Sequence, residues 1–392
     1  MGQHFLETLW PVFGFARILG MFPCKRKWNE DGTMELKPIN WKVQWLVYGC
    51  TMLLVWTSTI GANIWLYLNT EKSIEEVQQC HKNMGAADSI IDLLTLLVIF
   101  LLGGLLASLI QYGNSKMRDT LCDLSFQLDF TSDHDSPKVA FFTVSVLFVP
   151  AIICNAFLSG WILVECLALD WIEVAPTFIS FFLLNLVGYL PLLVFFGLTL
   201  ECFSAISYTI QKLRQQLEQS KLTIETIGYV LTMNRALENV RGLLSRNIFC
   251  VMTVTSMEIL VMLFFVPANF INYSSNGKLI VLVGAGDMLM FAICFCTLMW
   301  FFNIRAQKVT DLVHQTKEDL QDIYVPDQSY MVNFKGQTVP VSFMKDRIIL
   351  KLNDFDGFDG KGYFVLGKSY LKNFLAFCAT YFVILLQFKL SE

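Results

Sequence analysis

Charged side chains are scarce in this sequence, and no segment concentrates the basic ones. They make up 16% of the 392 residues, and the formal net charge is −4. Nucleic-acid binding needs a concentrated basic face, so we expect no nucleic-acid partner. Cysteine pairs at metal-binding spacing are also missing, because none of the 11 cysteines forms a C-x-x-C pair. A zinc site or a disulfide framework therefore has little support.

Recognisable catalytic motifs are missing as well. The four histidines lie far apart in the sequence, and neither G-x-S-x-G nor H-E-x-x-H occurs. Both motifs bring a nucleophile or a metal-bound water next to its base. We therefore expect no enzymatic activity, no catalytic or metal site and no cofactor.

Two segments near the C-terminus look like ligand loops but stand in the wrong context. Residues 362–369 match the phosphate-loop pattern G-x-x-x-x-G-K-S, yet they precede an apolar run instead of following a buried strand. The acidic run before them resembles a calcium loop, but Phe358 and Val365 stand where oxygen ligands are needed. The sequence context argues against both nucleotide and calcium binding.

Apolar residues are abundant instead: hydrophobic side chains make up 55% of the chain, with 34 phenylalanines. A soluble protein needs less apolar surface, and a membrane-crossing helix needs about 20 mostly apolar residues. Seven segments meet that requirement, which predicts an all-α membrane protein with seven transmembrane helices. The predicted spans are 45–68, 87–112, 139–164, 177–202, 248–268, 279–302 and 373–390.

Lys and Arg indicate the direction of the spans, because they are retained on the cytoplasmic side. Of the 29 Lys and Arg residues, 25 fall on one side of the predicted spans and four on the other. The N-terminus is therefore predicted in the cytoplasm and the C-terminus outside. This direction excludes a rhodopsin-like receptor, whose D-R-Y and N-P-x-x-Y motifs are also missing. The lack of an internal repeat argues against a secondary transporter.

Apolar residues recur at helical spacing beyond three of the spans, which predicts amphipathic helices that extend those spans into the cytoplasm. These stripes either pack on one another within one chain or help to assemble subunits, and we favour assembly. They comprise Ile206, Ile210, Leu213 and Leu217; Ile227, Val230, Leu231, Leu237, Val240 and Leu244; and Val309, Leu312, Val313 and Leu320.

The spans and their connections divide the chain into six predicted parts. A cytoplasmic N-terminal segment (1–44) precedes the first four spans (45–202). A cytoplasmic helical connection (203–247) precedes the fifth and sixth spans (248–302). A second cytoplasmic region (303–372) leads to the last span and the C-terminus (373–392). The two cytoplasmic regions after residue 202 form the predicted anchor.

Polar side chains lie at similar depths in five predicted spans, roughly 8–15 Å from the outer ends at a rise of 1.5 Å per residue. Such groups are costly in lipid and face a cavity or one another. Polar groups beside aromatic rings are typical of a ligand pocket, which we favour, while hydrogen bonding between helices is the alternative. The polar residues are Asp92, Asn155, Asn185, Glu258 and Asp287, with Trp161, Phe178, Tyr189 and Phe264 as aromatic neighbours.

Two features of the predicted extracellular side concern covalent modification. Cys80 and Cys166 fall in the first and second extracellular loops, where they form a disulfide or remain free thiols. Asn272 begins an N-x-S sequon on the same side. The sequence predicts a candidate disulfide and a candidate glycosylation site.

The last predicted span carries a recognisable motif. Thr380-Tyr381 and Gln387-Phe388 flank five apolar residues, and a glycine–aromatic segment begins at Gly362. This resembles the T-Y-(five hydrophobic)-Q-F signature in the last helix of insect gustatory receptors. Residues 362–388 carry the specific match, while the seven spans and their direction agree with that family.

The resemblance implies a ligand-gated, non-selective cation channel in the plasma membrane of sensory neurons, built as a homotetramer with the last helices around the pore. Its implied partners are a small-molecule tastant, membrane lipid, other subunits and monovalent cations, with divalent cations as an open alternative. Thr380, Tyr381, Gln387 and Phe388 match the motif. Apolar residues can close a pore by dewetting, and Ile384, Leu385 and Phe388 are the candidates. Gln387 could instead be an interfacial residue.

Residue 382 and the predicted pocket bear on the class of ligand. Phe382 stands where the sugar-sensing group of the family commonly has an acidic residue, which counts against that group. The acidic and amide groups of the predicted pocket suit a hydroxylated ligand, so a sugar such as fructose is favoured over a bitter compound. The alternatives are a seven-helix receptor that does not conduct and an obligate co-subunit without its own ligand.

Overall fold

The computed structural model describes residues 14, 17, 24–28, 34–69, 146, 148–154, 156–158, 160, 161, 164, 170–219, 224–276, 279–323, 331–334 and 337–391. This part of the chain is mostly helical, which confirms the predicted helical fold class. We label its helices α1 (Trp41–Asn69), α2 (Trp171–Gln219), α3 (Ile224–Asn276), α4 (Leu279–Asp322), α5 (Val341–Asn353) and α6 (Lys368–Ser391).

Two short antiparallel hairpins accompany the helices, and the sequence analysis did not predict them. Strand β1 (Cys24–Trp28) pairs with β2 (Met34–Pro38). Strand β3 (Met331–Phe334) pairs with β4 (Gln337–Pro340), which leads directly into α5. Each strand has only four or five residues, too short for a periodic pattern to stand out in the sequence.

Five of the seven predicted spans lie within α1, α2, α3, α4 and α6. Three described segments are long and apolar enough to cross a membrane: Leu192–Glu218, Thr226–Leu263 and Leu289–Asp322. The predicted span 139–164 overlaps a shorter apolar helix, Phe148–Leu158. The predicted span 87–112 lies outside the described residues. The number and direction of the spans remain predictions.

Helices α2, α3 and α4 continue without a break through the predicted spans and the amphipathic stripes beyond them. The predicted helical extensions are therefore confirmed. The favoured role of the stripes in assembly was wrong, because their side chains are already buried within one chain, apart from the half-buried Leu231. The helical extensions bury them against one another, so a subunit interface must use other residues.

Phenylalanines form the centre of the helical core. Phe196 on α2 meets Phe302 on α4 edge to face, with ring centroids 5.0 Å apart, and Phe203 lies 5.5 Å from the same ring. All three side chains are fully buried. Aromatic pairs in this geometry add about 0.5–1.5 kcal/mol beyond the burial of their area. The rings therefore hold α2 and α4 together at the point where α6 begins.

Helix α5 packs on α3 and α4 through a periodic apolar face. Its buried residues are Val341, Met344, Ile348 and Leu352, at the spacing of one helix face. The Lys345 ammonium donates hydrogen bonds to the carbonyls of Gln321 (3.0 Å) and Ile323 (2.5 Å) at the end of α4. Those carbonyls have no partner within their own helix, so this lysine fixes α5 across the end of α4.

Candidate functional site in the last helix and its connector

Residues 354–367, here called the connector, join α5 to α6 and are anchored by two buried phenylalanines. The ring of Phe358 lies 4.5 Å from Phe203 on α2 and 5.4 Å from Phe355. Phe358 is fully buried and Phe355 is 4% exposed. The phenylalanine core of α2 and α4 thus extends into the connector, which is packed rather than a loose loop.

Polar contacts tie the connector to α3. The Asp359 carboxylate forms a salt bridge with Arg241 (Nε to Oδ1, 3.2 Å), and its other oxygen accepts the backbone N–H of Gly362 at 2.8 Å. The backbone N–H of Lys361 donates to the Ser245 hydroxyl at 3.0 Å. Both oxygens of the carboxylate are thus engaged, which supports the argument against a calcium loop.

A glycine makes the tight fold of the connector possible. Gly357 has φ +117°, a conformation that residues with a Cβ rarely adopt. A Cβ placed there would lie 3.0 Å from Val365 Cγ1 and 3.1 Å from Thr310 Oγ1 on α4. The connector can approach α4 this closely because residue 357 has no side chain.

Gly357→Ala is therefore expected to lower the free energy of unfolding by about 1–3 kcal/mol, from backbone strain and the close contacts. Gly242→Ala is the matched control, because Gly242 is an exposed helical glycine of α3 where an added Cβ would meet nothing within 4 Å. That change should be neutral or stabilise by up to about 1 kcal/mol. Thermal unfolding midpoints of the purified protein check this, and equal midpoints for both variants would contradict the packed connector.

The first turn of α6 is held by side chains of α4. The Asn303 side chain is fully buried, accepts the backbone N–H of Gly367 at 2.9 Å and donates to the Met299 carbonyl at 2.9 Å. The Gln307 side chain accepts the backbone N–H of Lys368 at 3.4 Å. These two backbone amides lie in the segment that matches a phosphate loop, and both already have partners. This geometry agrees with the argument against a nucleotide site.

One face of α6 packs on α3 and α4. Phe374 and Cys378 are 8% and 6% exposed, and they lie four residues apart on one side of the helix. The Tyr370 ring lies 4.6 Å from Phe364 in the connector and stacks on Phe374 at 6.4 Å. The last helix is therefore attached to the rest of the chain along this face and at its first two turns.

The opposite face of α6 is uncovered within one chain. At about 100° per residue, Gln387 lies half a turn away from Cys378. The exposed residues on this face follow a 3–4 spacing and are mostly small or polar: Asn373, Ala376, Thr380, Val383 and Gln387. We call them the exposed row. Its small and polar character sets it apart from the flanks, where Leu375 and Phe377 are about half exposed.

The structure places the predicted pore and gate residues on α6. Thr380 and Gln387 belong to the exposed row, and Ile384 is 41% exposed beside it. The Thr380 hydroxyl donates to the Ala376 carbonyl at 2.9 Å, while Tyr381 is 37% exposed and stacks on Phe377 at 6.1 Å. The side chains of Leu385 and Phe388 are not among those described.

Only part of the predicted ligand pocket is described. Trp161, Phe178, Tyr189 and Glu258 are all partly buried. Phe178 lies 3.1 Å from the Cβ position of Gly160, and the Tyr189 ring lies 5.7 Å from Phe295 on α4. Asp92 and Asn155 lie outside the described residues, as do the side chains of Asn185, Phe264 and Asp287. The polar layer therefore remains a prediction.

The candidate modification sites also remain predictions. Cys80 and Cys166 lie outside the described residues. The backbone of Asn272 falls within the last turns of α3, which ends at Asn276, and its side chain is not described. A helical sequon differs from the exposed loop in which acceptor asparagines are usually found.

Several residues of this site gave little signal in the sequence. Arg241 and Asn303 contact the connector, and Gln307 contacts the first residue of α6, across separations of 61 to 118 positions. No local pattern reveals such contacts. Asn303 stands directly after the predicted sixth span, a polar residue at the end of an apolar run. That position was its only sequence signal. Asn373, Ala376 and Val383 could have been found from helical periodicity.

Comparison with known proteins identifies the fold. No protein-family model and no curated protein sequence matches the chain. The olfactory receptor OR5 of the insect Machilis hrabei, solved in complex with eugenol, matches with a TM-score of 0.57 and 14% identity over 98% of both chains. A second structure of that receptor matches with a TM-score of 0.46 and 13% identity over 98% of both chains. The chain has the fold of this insect chemoreceptor.

Proposed function

We propose that this chain is a gustatory receptor that acts as a ligand-gated, non-selective cation channel, opened by a small tastant and built from four copies. The proposal places the N-terminus in the cytoplasm, the C-terminus outside and α6 around a central pore. It is supported by the motif of residues 380–388 and by the insect chemoreceptor fold over nearly the whole chain. The Lys and Arg distribution supports the direction.

The exposed row of α6 is the observation that carries the proposal. Amide and hydroxyl side chains are costly when they face lipid, whereas around a symmetric pore they contact water, ions and their own copies. Asn373, Thr380 and Gln387 lie in this row, and the opposite face of the helix packs on α3 and α4. A pore lined by four copies of the row accounts for polar residues that the single chain leaves uncovered.

The same helix offers an apolar constriction for the closed state. Val383 is 51% exposed and Ile384 41% exposed, one turn before Gln387. Four copies of such residues in a narrow pore exclude water and therefore ions. The proposed gate lies at this level, with Gln387 on its outer side.

The effect of ligand binding is transmitted to the gate by movement of α3 and α4. The proposed pocket residues Glu258 and Asp287 belong to these helices, which also hold the connector through Arg241, Ser245 and Asn303. A ligand that shifts α3 or α4 would move the first turn of α6 with them. Coupling requires the ligand to bind one of two arrangements of the helices more tightly than the other. The connector is the physical link between α3 and α4 on one side and α6 on the other.

The class of ligand follows from the predicted polar layer. Carboxylates and amides bind hydroxyl groups, so we propose a sugar such as fructose before a bitter compound. The structurally similar receptor was solved with eugenol, which supports a small organic ligand in this fold but not a particular one. Expression of this chain alone, with currents recorded during application of sugars and bitter compounds, tests the channel. Surface-expressed protein without current for any compound would favour a co-subunit or a non-conducting receptor.

The proposed assembly uses the uncovered face of α5. Phe343 and Leu350 are 54% and 64% exposed, and they lie seven residues apart on the side opposite its buried face. Phe343→Ser combined with Leu350→Ser is expected to reduce the tetramer fraction by about tenfold or more, since each buried aromatic or Leu contributes about 1.5–3 kcal/mol. Light scattering of the purified protein measures that fraction. Phe343→Leu keeps the surface apolar and should remain tetrameric; an unchanged tetramer in the double variant would place the interface elsewhere.

A further inference from the structure

A cavity of about 160 Å³ lies between α3 and α5, and its lining contains residues of these two helices only. Its apolar floor includes Met344 and Ile348, which are 1% and 2% exposed. A single water molecule needs only about 10–15 Å³, so there is room for a polyatomic ion and some of its hydration. The cavity is large enough to hold a ligand, and both helices contribute to its walls.

The walls of this cavity carry an excess of positive charge. Arg235 on α3 and Arg347 and Lys351 on α5 line it, against the single carboxylate of Glu238. Within the described part of the chain, none of these three cations has a salt bridge. The side chains of all three cations are exposed, and with the one carboxylate they give the lining a net positive charge that attracts anions.

A buried amide completes the polar wall. Asn234 is only 5% exposed, and its side-chain amide donates to the Glu238 carboxylate at 3.0 Å. This hydrogen bond holds the one carboxylate of the cavity against α3. Arginine pairs with phosphate oxygens through two parallel hydrogen bonds, and lysine acts as a point charge for the same group.

We propose that this cavity binds a soluble phosphate-bearing anion on the cytoplasmic side. The cytoplasmic placement rests on the proposed function, whereas the binding chemistry rests on the cavity alone. Arg235 lies 13 positions before the predicted start of the fifth span, which corresponds to about 20 Å along a helix. A phosphate on a lipid headgroup at the membrane surface does not reach that far, so a soluble ion is the favoured source.

Binding at this site bears on the channel because the anion contacts two helices at once. Arg235 belongs to α3, while Arg347 and Lys351 belong to α5, which leads through the connector into α6. A ligand that binds only when α5 is packed on α3 stabilises that packing by mass action. The anion therefore fixes α5 on α3 and sets the resting position from which the connector acts.

The test is thermal unfolding of the purified full-length chain in detergent, titrated with inorganic phosphate and, at equal ionic strength, with chloride. Phosphate is expected to raise the midpoint saturably. Arg347→Gln and Lys351→Gln should each weaken the apparent affinity about tenfold or more, the effect of one charge-assisted hydrogen bond. Arg347→Lys should restore part of it, and Lys308→Gln, which changes an exposed cation on α4 outside the cavity, should match the unchanged protein.

Each possible outcome decides the proposal. A phosphate response that is identical in Arg347→Gln, Lys351→Gln and Lys308→Gln, or no larger than the chloride response, would overturn it. Vesicles that contain a phosphoinositide provide the second arm, and binding to these without a response to soluble phosphate would also reject the soluble source. Phosphate binding in a protein that gives no tastant current would leave the cavity site intact and reject only the channel.

Discussion

Gln387→Lys is expected to abolish cation current while surface expression stays intact. Four copies of the exposed row would place four ammonium groups around the pore. One unit charge about 5 Å from a passing cation repels it by about 3 kcal/mol at an effective dielectric constant of 20. Since about 1.4 kcal/mol is a tenfold change in rate, one lysine would already reduce the flux more than a hundredfold. Whole-cell and single-channel currents measure this effect.

Other substitutions separate permeation from ligand binding. Gln387→Ala removes the amide without adding charge and is expected to alter the unitary conductance or the leak. Asp92→Ala and Asp287→Ala, in the proposed ligand layer, should shift the tastant concentration for half-maximal current and leave the conductance unchanged. Normal permeation in Gln387→Lys would remove this residue from the pore.

Asn303→Ala is expected to uncouple ligand binding from pore opening. The change leaves the backbone N–H of Gly367 buried without its acceptor, which costs about 1–3 kcal/mol. That cost destabilises the arrangement in which α4 holds the first turn of α6. A ligand-induced movement of α4 is then transmitted less effectively to α6, so the maximal tastant current should fall about tenfold or more relative to the leak. Currents are measured together with surface expression and the unfolding midpoint.

Two changes on the same helix serve as controls for Asn303→Ala. Gln307→Ala removes a longer, exposed contact to Lys368 (3.4 Å) and should have a smaller effect. Thr316→Ala removes a buried hydroxyl that donates to Leu312 within α4, so it can lower stability without touching the connector. If Thr316→Ala reduced the maximal current as much as Asn303→Ala, the loss would reflect general destabilisation.

The helices were readable from the sequence because their patterns are local. Long apolar runs and the spacing of Ile206, Ile210 and Leu213 identify helix faces directly, and the structure buries those faces. The same pattern cannot say what covers a buried face. Assignment of the stripes to subunit assembly was therefore wrong, while the uncovered Phe343 and Leu350 on α5 went unnoticed.

The connector could not be predicted, since its contacts join residues far apart in the chain. Asp359 meets Arg241 across 118 positions, and Gly367 meets Asn303 across 64. The acidic and glycine-rich composition of residues 354–367 suggested ligand loops, whereas the structure uses these residues to turn tightly against α3 and α4. The composition of the segment indicates that tight turns are possible there. Only the contacts with α3 and α4 show that the turns pack the connector and do not form a ligand loop.

The exposed row of α6 contains more residues than the four that define the family motif. The T-Y…Q-F pattern directs attention to Thr380 and Gln387, which lie seven residues apart on one face of α6. The same periodicity adds Val383, one of the five apolar residues between the two pairs of the motif. Continued backwards, it also adds Ala376 and Asn373, which lie outside the motif. Helical periodicity alone would therefore have predicted a longer exposed row on α6 than the family motif indicates.

The most direct test of the central claim is cysteine accessibility along α6 during tastant application. Thr380→Cys and Gln387→Cys lie in the exposed row, and Ala379→Cys lies about 100° away from Thr380 at the same depth. We predict that a charged, membrane-impermeant thiol reagent blocks the current of the first two variants and spares the third and the unchanged chain. Equal modification of Ala379→Cys and Thr380→Cys, or no effect at either row position in a conducting channel, would contradict a pore lined by this face.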